Sequence, residues 1–132
     1  LTLTDAGYDC YHVIIARREL LRLAPEVVRA FVQASIRGWR DYLEGDPSPA
    51  DDLILRRNPQ MSRELLAYSR SELILRRFVH GDRAKGEDVG QLSLARLSEQ
   101  MEMLLRLGVM EVPVAITSVA TKEFLPPVPP AR

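Results

Sequence analysis

One short β-branched run, Val13-Ile14-Ile15-Ala16, stands near the head of a chain that otherwise reads as helices. A run of this length suits a strand buried on both faces. A single buried strand cannot satisfy its own backbone N–H and C=O groups, so it requires sheet neighbours. No later segment of the 132 residues reads as a partner. The run therefore predicts a sheet completed by other polypeptide, with a mostly helical remainder. The turn-like Asp5-Ala6-Gly7 and the aromatics Tyr8 and Tyr11 precede it, and residues 1–16 together read as extended.

Helix punctuation divides the rest. Residues 17–23 read as a short helix. Pro25, with Glu26 behind it, then opens a helix that runs to about Glu44 and stops at Gly45. Val28, Phe31, Val32, Ser35, Trp39, Tyr42 and Leu43 fall on one face of it, so Val28, Phe31, Trp39 and Leu43 are expected to be buried together. Truncating a buried Trp39 to Ala would then cost about 3–5 kcal/mol. Ser48 is placed to cap a helix beginning at Pro49 and ending by Arg57, since Asn58 precedes Pro59. Ser62 caps the next helix, with Glu64 in its first turn and Arg76 and Arg77 at its end. Residues 79–92, with Gly81, Gly86 and Gly90 among charges, read as a surface loop. Ser93 caps the clearest helix, whose stripe is Leu94, Leu97, Met101, Leu104 and Leu105 and whose stop is Gly108. Thr117 or Thr121 opens a last turn, and residues 126–132 form a polyproline-like tail. The sum is one or two short strands and about five helices, with no internal repeat.

Composition removes several function classes. Lys+Arg and Asp+Glu are both 18, so the net charge is zero, and a binder held by phosphate neutralisation would show a basic surplus. No nucleic-acid partner is expected. Arg dominates the basic residues, with only Lys85 and Lys122 as lysines, which reflects codon composition more than function. No apolar run approaches the roughly 18 residues of a membrane span. Cys10 is the single cysteine, so no intrachain disulfide and no cysteine-based metal site forms, and the compartment stays open. The chain starts at Leu1 with no signal peptide, and its opening reads like the interior of a longer polypeptide.

Catalytic and metal signals are weak. His12 and His80 are the only histidines and lie far apart in the sequence. His12 alternates with apolar strand residues and reads as a satisfied strand histidine, His80 as an exposed loop residue. No nucleophile elbow occurs, and the loop Gly81-Asp82-Arg83-Ala84-Lys85-Gly86 lacks the end of a phosphate-binding P-loop. No catalytic residue, metal or cofactor is expected. The pairs Arg17-Arg18, Arg56-Arg57 and Arg76-Arg77 are explained by helix dipoles and solvation, with an anionic partner as the alternative. Tyr8, Asp9 and Tyr11 are the candidate ligand-binding residues. Aromatic rings stack on planar ligands and a carboxylate accepts hydrogen bonds from amino groups. Strand-edge packing is the competing account of the same residues.

From Gly7-Tyr8-Asp9-Cys10-Tyr11 through Ala16-Arg17-Arg18-Glu19-Leu20-Leu21, and again over Ala24-Pro25-Glu26-Val27-Val28-Arg29-Ala30-Phe31 to Gly38-Trp39, the chain resembles a known family. These are the substrate-binding proteins of ABC importers for nitrate, sulfonate, taurine and thiamine-pyrimidine precursors. Asn58-Pro59-Gln60-Met61-Ser62, Leu107-Gly108-Val109 and Phe124-Leu125-Pro126 agree in order and spacing. The resemblance covers nearly all of this chain but only the C-terminal part of a family member. The Tyr-Asp segment and Phe-Leu-Pro favour the pyrimidine branch over the nitrate branch.

The resemblance implies an α/β parent fold of two lobes, a periplasmic binding protein, with ligand held in the cleft between them. Residues 1–16 would be the hinge-crossing and strand segment, 17–125 the helical part of the first lobe, and 126–132 a Pro-rich tail. It implies a periplasmic, non-enzymatic receptor that hands a small polar ligand to ABC permease subunits. Two alternatives stay open: a free-standing helical protein-interaction domain, and an enzyme resembling the eukaryotic pyrimidine-precursor synthases, whose cysteine-rich segment this sequence lacks. A lobe piece with an open strand is also expected to self-associate.

Overall fold

The computed structural model describes residues 12–82 and 87–127. Six helices follow in order: α1 (Arg18–Leu23), α2 (Pro25–Glu44), α3 (Ser48–Arg57), α4 (Arg63–Leu75), α5 (Leu94–Arg106) and α6 (Ile116–Val119). The mostly helical reading holds.

The boundaries follow from local chemistry. Ala24 leaves helical angles (φ −140°, ψ 55°) because it precedes proline, and Pro25 starts α2 where a missing N–H costs no hydrogen bond. At the far end Gly45 donates to the Asp41 carbonyl at 3.0 Å, and a Cβ on Gly45 would sit 2.8 Å from that same oxygen. Ser62 Oγ accepts the Leu65 N–H at 3.1 Å, and Ser93 Oγ accepts that of Arg96 at 3.2 Å. Both are N-cap bonds that satisfy an otherwise orphaned donor. Ser48 does not cap α3. It is the first helical residue, and the Asp46 carboxylate takes its N–H at 2.9 Å and its hydroxyl at 2.6 Å. Those bonds hold the Asp46 carboxyl below its ordinary range, the hydroxyl bond first. An ionised carboxylate is a strong acceptor, so these bonds order the turn that leads into α3, whose N-cap position is Pro47.

Helices pack with their sequence neighbours: α1 on α2, α3 on α4, and α5 on α6. The core is built on α2. Val28, Val32 and Ile36, spaced by one helical turn, are buried with Val89 and Phe124, and Leu21, Val79 and Leu125 pack around them. Leu43 and Leu66 are also buried. Val89 is the most deeply buried side chain, at 1% exposure, although it lies in the segment between α4 and α5. Charges on the two residues before it fix that segment. Asp88 pairs with Arg40 of α2 at 3.0 Å, and Glu87 pairs with Arg96 of α5 at 3.4 Å while accepting the Asp82 N–H at 2.8 Å. Gly90 (φ +79°) lets the backbone press against α2, and a Cβ there would collide with the Ile36 side chain. Arg29 stands over the Phe124 ring with its guanidinium carbon 5.6 Å from the centroid.

Four further sequence expectations are corrected. No strand forms among the described residues, and Val13, Ile14 and Ile15 are exposed, Ile15 to 88%. A strand is defined by its neighbours, and the described residues supply none. The buried face of α2 is Val28, Val32, Ile36 and Leu43, not the face through Phe31 and Trp39. Phe31 is 59% exposed and Trp39 43%, the latter edge-on to Tyr42 at 6.3 Å. The cost of removing a buried Trp therefore does not apply at Trp39. The segment 79–92 is no plain surface loop, because Val89 plugs the core. The last helical turn begins after Ala115 instead of at Thr117 or Thr121. Thr121 heads a non-helical turn, its hydroxyl accepting the Glu123 N–H at 3.2 Å.

Candidate functional site

Tyr8, Asp9 and Tyr11, the sequence-derived ligand residues, lie outside the described residues, as does Cys10. His12 is exposed. His80 is mostly shielded, and its Nε2 lies 3.2 Å from Glu44 Oε1, so it ties the segment after α4 to the last residue of α2. Among the described residues no group of three or more His, Cys, Asp or Glu side chains converges as a metal site.

A groove of about 370 Å³ lies along α3 and α4, lined by Pro47, Asp51, Ala67, Arg70, Ser71, Ile74 and Leu75. Its polar side chains are engaged by the protein itself. Arg70 donates from Nε to the Tyr42 carbonyl at 2.7 Å and from Nη2 to the Leu43 carbonyl at 2.8 Å. A longer bond of 3.4 Å reaches the Gly45 carbonyl. These carbonyls sit at the C-terminal end of α2, where no intrahelical donors remain and a cation meets the negative end of the dipole. Asp51 accepts the Tyr42 hydroxyl at 3.1 Å. Partial burial, and then this carboxylate, push the Tyr42 phenol above its ordinary value, so it stays a donor. Ser71 Oγ donates to the Tyr68 carbonyl at 2.7 Å. The cluster locks α2, α3 and α4 together and offers no activated nucleophile or general base. Sequence reading missed it because Arg70, in the middle of α4, carries no local signal of a partner 27 residues upstream.

The larger feature is uncovered apolar surface. Seven hydrophobic residues are buried among the described residues, while nineteen large ones are exposed. A folded monomer normally leaves apolar side chains scattered singly, and contiguous ones mark a contact surface. On α2, Val27, Ala30, Phe31, Ala34 and Gly38 are all exposed and run along a face beside the buried stripe. The helix is thus apolar on two adjoining faces, of which the described residues cover one. Leu107, Val109 and Val112 expose a further stretch between α5 and α6.

No family model, no curated protein and no solved structure matches the chain.

Proposed function

We propose that the chain is the C-terminal portion of a solute-binding receptor of an ABC importer, contributing the helical cover of one lobe of a two-lobe α/β protein. The observation that carries this reading is the doubly apolar α2. Its Val28-Val32-Ile36 stripe packs inward, while Val27 and Phe31 stand exposed beside it. A helix lying on a sheet uses such a second face, and layered α/β lobes are built this way. Val13, Ile14 and Ile15 leave a second exposed, β-branched apolar stretch just ahead of α1. Together with the family resemblance of residues 7–39 and 58–62, these features fit a lobe whose sheet belongs to preceding polypeptide.

On this reading the receptor works by hinge closure around a small polar ligand, a sulfonate, nitrate or pyrimidine thiamine precursor, without covalent chemistry. Tyr8, Asp9 and Tyr11 supply part of the ligand shell, and the closed form is what the permease subunits recognise in the periplasm. The helical-interaction reading draws on the same exposed surface but requires no sheet.

Translating the codons upstream of Leu1 separates the two. An α/β lobe is expected there, and a start codon directly before Leu1 would overturn the proposal. The 132-residue chain alone is expected to bind thiamine pyrimidines, taurine and nitrate no tighter than about millimolar, since one wall buries too little of a ligand. The polypeptide with its upstream lobe is expected to bind one of them, with Asp9→Ala weakening calorimetric affinity about tenfold or more by leaving a ligand donor unpaired. Unchanged affinity with a lowered melting temperature would return Asp9 to strand-edge packing.

A further inference from the structure

We draw no further inference here: the strongest candidate, the exposed apolar stripe through Val27 and Phe31 on α2, carries nothing more, because nothing in the structure shows what covers it beyond the reading already proposed.

Discussion

Helices α4 and α5 end in the same backbone motif with different residues at its critical position. After α4, Phe78 donates to the Leu73 carbonyl at 3.2 Å and Arg77 to that of Ile74 at 3.2 Å. After α5, Val109 donates to the Leu104 carbonyl at 2.9 Å and Gly108 to that of Leu105 at 3.1 Å. Both are the paired six-to-one and five-to-two bonds of a Schellman stop. The stop needs a left-handed residue, which is Gly108 (φ +70°) in one case and Arg77 (φ +54°) in the other. For a side-chain-bearing residue that conformation costs about 1–2 kcal/mol. The chain around Arg77 offsets it: Gly81 donates to the Arg77 carbonyl at 2.8 Å, and His80 reaches Glu44. The end of α5 instead opens into the exposed Leu107 and Val109. At these two helix stops, glycine ends the helix that runs into exposed residues, and arginine ends the one whose following turn is tied back to Arg77 and to α2.

Gly90 provides the sharpest test of that contrast. It too is left-handed, at φ +79°, but it is pressed against the Ile36 side chain, whereas a Cβ on Gly108 would meet nothing within 4 Å. Gly90→Ala should lose about 2–5 kcal/mol, combining backbone strain with overpacking. In an Ile36→Ala background the packing part should vanish and leave only the cost of the angle. Urea unfolding of the four-member cycle reads this directly. An additive cycle would mean that the core, not the contact with Ile36, tolerates or rejects the methyl.

Gly108→Ala comes next. With open space around it, the substitution meets only the left-handed penalty, about 1–2 kcal/mol. Arg77→Gly is the reciprocal change and should stabilise by about 0.5–1 kcal/mol, because relief of strain exceeds the added freedom of the unfolded chain. Equal and opposite shifts would show that the two stops differ in their residue alone. A gain at Arg77 much smaller than the loss at Gly108 would show that the anchors around Arg77 have already absorbed the strain.

The same contrast marks what is legible in the sequence. Stops and starts written by one residue are readable: Pro25, Ser62, Ser93 and Gly108 each stand at the boundary that their chemistry predicts. Features that depend on distant polypeptide are not. Phe31 and Val32 are adjacent and both apolar, and periodicity cannot say which one a cover will reach. Val89 is flanked by Asp88 and Gly90, which locally reads as loop; only the placement of Arg40 and Arg96 makes it a core residue. The β-branched run at 13–15 reads as lacking a partner within this chain, and the described residues supply it with none. The candidate residues Tyr8, Asp9 and Tyr11 are named on side-chain chemistry alone and lie outside the described residues.

The smallest expected effect concerns helix starts, the counterpart of these stops. Ser62 caps α4 with a neutral hydroxyl, whereas α3 is started by the Asp46 carboxylate bound to Ser48. Those bonds lower the Asp46 value in the folded state relative to the unfolded chain. A lowered carboxyl contributes stability that is present above its unfolded value, near about 4. That contribution is lost as pH falls through the lower folded value. Glu64 is shifted in the same direction, chiefly by its own backbone N–H and then by Ser62, so α4 is not free of acid sensitivity. Asp46→Asn keeps an acceptor and removes the ionisation. Its urea midpoint should lie slightly below the parent's at neutral pH and converge with it below about pH 4, where the parent loses the charged form. Glu64→Gln should flatten the remaining slope independently, because the two carboxylates belong to different helix starts. If Asp46→Asn instead tracks the parent across the whole pH range, the Ser48 bonds do not distinguish the charged from the neutral acceptor, and α3 starts on geometry alone.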